Sequence, residues 1–134
     1  MKLDILLLDD DFVSILISRK VLNTYFSQKF EICFFDFLKP EEALEFLEIN
    51  RLEYSSRPLY IFLDINMPKI DGFDFLKILN DSYSRLNLRV FMLSSSISPE
   101  HKSLSFTFDC VIDYFVKPLS NDHLGIFENS LDFT

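Results

Sequence analysis

LYIFLDINMPKIDGFDFLKILN, residues 59–80, decides the fold. Five apolar residues, 59–63, run without a break and stop at Asp64. A short run of this kind, bounded by a turn, reads as a strand buried on both faces. Met67 and Pro68 shape the loop that follows. Gly72 permits the turn into a helix over residues 71–80. A strand that feeds a helix is the unit from which parallel sheets are built.

The same unit recurs on either side. Residues 3–8 are apolar apart from Asp4 and end in Asp9, Asp10 and Asp11. Residues 12–26 follow as a helix, with an apolar stripe at 12, 13, 16, 17, 21, 22 and 26. Residues 30–35 form a second strand. Pro40 with Glu41 and Glu42 opens a helix to residue 49, since proline and acids suit a first turn. Residues 88–93 and 111–116 are strands, with a helix over residues 99–108 between them. Asn121 caps a last helix that carries Leu124, Phe127 and Leu131 on one side. The polar stretch NRLEYSSR, residues 50–57, is an extended loop or an extra turn. Five strands alternating with five helices predict an α/β fold, a parallel sheet covered on both faces.

The 134 residues fit one domain, and a hydrophobic content of 49% supplies its core. Sixteen Phe with no Trp serve as core filling. A net charge of −8 speaks against sequence-independent binding to DNA or to anionic membrane, which Lys and Arg drive. Cys33 and Cys110 stand in apolar surroundings, without metal-ligand spacing or a disulfide framework. They are expected to be buried, reduced and inert. MKLDILLLDDD is too short and wrongly flanked for a signal peptide or a membrane span, so a cytoplasmic location is expected.

In open parallel sheets a site forms just past the carboxyl ends of the strands. Polar residues gather there. They are Asp9–Asp11 after the first strand, Asp64 after the third, Ser94–Ser96 after the fourth, and Lys117 and Pro118 after the fifth. Clustered carboxylates repel, and burial makes this worse, so the cluster stays ionised only beside a cation. Hard oxygen ligands suit Mg²⁺ or Mn²⁺ over zinc. An aspartate beside such an ion can attack a phosphoryl group and form an acyl phosphate. The ammonium of Lys117 and a hydroxyl at the end of the fourth strand would share the charge on the transferring oxygens. Asp11 is read as a helix cap or rim acid, Ser95 and Ser96 as loop residues, and His101 and His123 as solvated surface residues.

LLLDDD (6–11), FLDINMPKIDG (62–72), FMLSS (91–95) and YFVKP (114–118) resemble, in order and spacing, the signature blocks of response-regulator receiver domains of two-component systems. The resemblance implies one flavodoxin-like (βα)5 domain over residues 1–134, with sheet order 2-1-3-4-5. It implies that Asp64 is the phosphoacceptor. Asp10 would contact Mg²⁺ (or Mn²⁺) directly and Asp9 mainly through a metal-bound water. Asp64 and the backbone carbonyl of Asn66 would complete the protein's ligands. Ser94 resembles the switch hydroxyl, Tyr114 the switch aromatic, and Lys117 the phosphate-contacting lysine, followed by Pro118, often through a cis peptide in this family. Asn66 and Ser96 stand where the family tunes acyl-phosphate hydrolysis, and imply a lifetime of minutes. The implied partners are a sensor histidine kinase or histidine phosphotransfer protein as donor and a downstream protein as target. DNA and membrane are not among them, and the domain would be a monomer or weak dimer. The usual glycine before the switch aromatic is missing in DCVIDYF. Residues 97–115 resemble stand-alone, chemotaxis-regulator-like members of Bacteroidetes type.

Two other readings compete. Asp9 and Asp11, one residue apart after a strand, imitate the first motif of haloacid-dehalogenase-type phosphatases. Only 17 residues follow Lys117, without the adjacent acid pair that family places there. A degenerate receiver acting purely as a scaffold is opposed by the complete set of acids and lysine.

Overall fold

The computed structural model describes residues 2–131. Residue 1 and residues 132–134 of the expected domain lie outside the described residues. The chain runs β1 (Lys2–Leu8), α1 (Phe12–Phe26), β2 (Glu31–Phe37), α2 (Pro40–Ile49), α3 (Arg51–Tyr54), β3 (Leu59–Leu63), α4 (Gly72–Ser82), β4 (Leu88–Ser94), α5 (Pro99–Ser105), β5 (Val111–Val116) and α6 (Asn121–Asn129). The strands form one sheet in the order β2-β1-β3-β4-β5, with parallel neighbours throughout. This is the doubly wound arrangement expected from alternating strands and helices.

Each face of the sheet carries its own core, because successive strand residues point to opposite sides. Ile5, Leu7, Tyr60, Phe62, Phe91 and Phe115 pack beneath α1 and α6. Leu6, Leu8, Ile61, Leu63, Val90 and Met92 pack beneath α2, α3 and α4. All five residues of β3 are buried, as a central strand covered on both sides requires. Between β4 and β5 the register shifts by one residue after Val90, which pairs with Val111, while Phe91 pairs with Asp113 and Met92 with Tyr114. Ile112 is the extra residue of this bulge.

Several boundaries differ from the sequence reading. The extra turn within residues 50–57 is a short helix, α3. Buried Asp4 of β1 anchors it, accepting from Tyr54 Oη at 2.7 Å and pairing with Arg57. β2 extends to Phe37 because pairing with β1 continues to Leu8. α5 stops at Ser105, where the backbone turns back through Thr107 N–H to Leu104 O; the aromatic and β-branched residues of SFTF are weak helix formers. Ser120, not Asn121, caps α6, since its hydroxyl accepts from His123 N–H. Cys33 and Cys110 are half-buried rather than buried.

The helical stripe of α1 also resolves differently. Ile15, Ser18, Leu22 and Phe26 face the sheet. Phe12, Val13, Leu16 and Ile17 stand about half exposed. The first turns of this helix are apolar nearly all round, so periodicity alone did not choose the inner face.

Candidate functional site

The chain leaves the sheet at its carboxyl edge and brings the acids together. The backbone N–H of Asp9 still bonds to Phe37 O at 3.2 Å, and that of Asp64 to Leu8 O at 3.0 Å, so the sheet ladder fixes both residues. Asp9 and Asp64 are buried, at 6% and 5% exposure, while Asp10 is exposed. One carboxylate oxygen from each lies within 4.8 Å of the others. Lys117 Nζ sits 2.7 Å from Asp9 Oδ2 and 3.6 Å from Asp64 Oδ1. Asp11 stays out of this group; its side chain caps α1 by accepting from Val13 N–H at 3.0 Å. The Asp9/Asp11 pair that a phosphatase of the haloacid-dehalogenase type needs is therefore not assembled.

Burial pushes the Asp64 carboxyl up to about 6. The charge of Asp9 adds to the shift, and Lys117 and the Asn66 backbone N–H pull it partly back. Burial draws the Lys117 ammonium down, but its hydrogen bond to Asp9 and the charges of Asp64 and Asp9 outweigh this and raise it. Three carboxylates thus face one ammonium in a half-buried corner. The unsatisfied negative charge and the hard oxygen donors fit a divalent cation such as Mg²⁺ or Mn²⁺.

The loop after Asp64 is held by close packing. A Cβ on Gly72 would come 2.6 Å from Asp64 O and 2.8 Å from Ile65 Cα, both backbone atoms. Glycine is needed here for space, not for a turn with positive φ. The one described non-glycine residue with positive φ is Lys69, at 67°. Asp71 and Asp74 close a capping box at the start of α4.

Across the site, Ser94 at the end of β4 is fully buried. Its carbonyl accepts Lys117 N–H at 2.8 Å, which ties the lysine to β4. Its Oγ accepts from Ser96 N–H at 3.1 Å. Tyr114 is also buried, at 7% exposure, and its hydroxyl donates to Ser96 O at 2.8 Å. The Lys117–Pro118 peptide is cis. Asp9, Asp10, Asp64 and Lys117 therefore meet at one point, with Ser94 at the end of β4, Tyr114 on β5, and Asn66 two residues past Asp64 in the chain.

The two histidines are not the solvated residues expected. His101 Nδ1 lies 2.8 Å from Ser96 Oγ, and its ring lies against Phe73, with centroids 5.5 Å apart. His123 stacks on Phe115 at 4.5 Å, and its Nδ1 accepts from Ser120 N–H at 3.2 Å. Sequence offered one signal for the second, a serine three residues before it at a helix start. The same signal stands before His101, where Ser98 caps α5, but the imidazole bonds to Ser96 instead.

The chain matches the family described as "Response regulator receiver domain" over residues 5–126. It is similar to a two-component response regulator from Cytophaga hutchinsonii, at 27% identity over 96% of each chain and a TM-score of 0.81. It is also similar to a two-component response regulator from Legionella pneumophila, at 31% identity over 95% of this chain and 96% of that one, with a TM-score of 0.71. A third similar structure is the Mn²⁺-bound form of the response regulator Rcp1, at 26% identity over 94% of this chain and 89% of that one, with a TM-score of 0.63. No curated protein sequence matches the chain.

Proposed function

From the premise that this chain belongs to the response-regulator receiver family, we propose that Asp64 accepts a phosphoryl group from the phosphohistidine of a sensor histidine kinase or a histidine phosphotransfer protein. The observation that carries this reading is Lys117 Nζ reaching both Asp9 and Asp64 in a pocket of three converging acids. A carboxylate oxygen of Asp64 attacks phosphorus, the O–P bond forms, and the P–N bond to the donor imidazole breaks. Lys117 is placed to neutralise charge on the moving phosphoryl oxygens. Asp10 directly, Asp9 through a water, Asp64 and the backbone carbonyl of Asn66 would hold Mg²⁺ or Mn²⁺. A bound cation supplies further neutralisation of those oxygens. Ser94 is the hydroxyl that turns to the phosphoryl group, and Tyr114 the aromatic that follows it. The minutes-scale lifetime implied by Asn66 and Ser96 is part of this reading.

The donor needs a landing surface that opens on Lys117. The exposed side of α1 offers one. Val13 and Ile17 line a groove with Ser95, Lys117 and Pro118. Phe12 and Leu16 extend the apolar surface beside it. Residues 1–134 act in this reading as one cytoplasmic receiver, a monomer or weak dimer. It passes its state to a downstream protein by contact or by onward phosphotransfer. A net charge of −8 favours protein partners over DNA or anionic lipid.

Acetyl phosphate with Mg²⁺ is expected to add one phosphoryl group to the intact protein by mass spectrometry. Asp64→Asn or chelation of Mg²⁺ removes it. Failure of intact Asp64 to take up phosphate would favour the scaffold. Steady turnover of p-nitrophenyl phosphate that survives Asp64→Asn would favour a phosphatase instead.

A further inference from the structure

Ser96 is a junction. Its N–H donates to Ser94 Oγ, and its carbonyl accepts from the Tyr114 hydroxyl. Its own Oγ lies 2.8 Å from His101 Nδ1 and accepts from Ser98 N–H at 3.2 Å. Both polar side chains that β4 and β5 send to this loop, Ser94 and Tyr114, are therefore oriented by one residue. Its neighbour Ile97 is 82% exposed, so the loop buries little apolar surface of its own. Ser96 Oγ and His101 Nδ1 share one hydrogen bond, whose direction follows the imidazole tautomer, and Ser96 Oγ can accept from Ser98 in either case.

His101 is held in turn. It lies on α5, and its ring rests against Phe73 of α4. The residue before Phe73 is Gly72, whose N–H donates to Ile65 O at 2.8 Å, one residue past Asp64. The imidazole thus joins α4, whose first residue is bonded to the loop after Asp64, to the loop that follows Ser94.

We propose that His101 is a positioning residue for phosphorylation of Asp64. It acts through Ser96 to keep Ser94 and Tyr114 ordered before the phosphoryl group arrives. The proposal rests on the receiver reading given above. Without the imidazole, loop 94–98 loses a hydrogen bond that fixes it, and the ordering must happen during the reaction instead.

The test is the rate of acyl-phosphate formation on the intact protein, from acetyl phosphate with Mg²⁺. His101→Ala and Ser96→Ala are each expected to slow it about three- to tenfold, the scale of one hydrogen bond. The double variant should be no slower than either single one. His101→Asn, whose amide reaches the place of Nδ1, should recover the rate to within about twofold. Ser96→Ala, the smaller change, carries the test if His101→Ala fails to fold. A His101→Ala or Ser96→Ala rate equal to that of the parent overturns the proposal, as do additive effects or an Asn variant as slow as the Ala one. A parent protein that takes up no phosphate overturns the receiver reading itself, and the proposal with it.

Discussion

Asp64 carries a cost at the scale of a single residue. Its carboxyl titrates near 6 in the folded protein, mainly because it is buried, against 3.8 for an ordinary aspartate. The folded chain therefore binds this proton more tightly than the unfolded chain does. Stability from the protonated form is present at low pH and declines as pH rises between about 4 and 6. Above that window the ionised carboxylate destabilises the domain by about 1–3 kcal/mol. Asp64→Asn should melt higher than the parent at pH 7.5, by several degrees. The advantage should vanish near pH 4, and a variant that melts lower at pH 7.5 contradicts this account. At this scale the sequence was informative for Asp9, Asp10, Asp64 and Lys117, because strand ends give acids and lysine a common destination. It took His101 for a solvated residue, because its partner, Ser96, is identified only by the path of the loop between them.

Single elements carry the next two predictions. The start of α4 sits so close to Asp64 that an added methyl group at position 72 must displace backbone. Gly72→Ala should cost about 2 kcal/mol in urea unfolding, the scale of overpacking, and should slow phosphorylation of Asp64 as well. A variant of unchanged stability would show that the loop yields without strain. α6 depends on a histidine in its cap. Burial lowers the titration of His123 below 6.5, and its Nδ1 accepts the Ser120 N–H, which needs the neutral ring. Asp122 on the same helix and Asp113 on β5 oppose that shift. The contribution of the neutral ring is complete above about pH 6.5 and is lost as pH falls through the lower folded value. His123→Gln keeps a capping-box side chain that does not titrate. Its melting temperature should gain on the parent's from pH 7 to pH 5, and parallel pH profiles would rule the cap out. Element type was legible apart from α3, because short apolar runs and helical periods differ. The inner face of α1 was not, since Phe12, Val13, Leu16 and Ile17 compete with Ile15, Leu22 and Phe26 for the same period.

Over the whole molecule, chemistry and anchorage occupy opposite ends of the sheet. The acids meet at the carboxyl edge. Near the amino edge, buried Asp4 holds α3 through Tyr54 and Arg57. One oxygen of Asp4 has no hydrogen-bond partner, so the carboxylate relies on these two contacts. Arg57→Ala should cost about 2 kcal/mol in urea unfolding, because a buried charge loses its counterion. Asp4→Asn added to it should restore part of the loss. If the second change deepens the loss, the carboxylate is not the group being stranded. The sheet order followed from the resemblance and alternation together, whereas this anchor needed residues about fifty positions apart to be seen in contact.

The bulge at Ile112 acts as a parity bit for β5. Strict alternation from Val111 would send Tyr114 to the α1 side of the sheet and Phe115 to the α4 side. One surplus residue inverts that assignment, and Tyr114 shares a face with Met92. Straightening the bulge with Ile112 kept in the ladder would leave every residue of YFVKP unchanged in identity, yet exchange the faces on which the tyrosine and the phenylalanine are read; deleting Ile112 would leave both where they are.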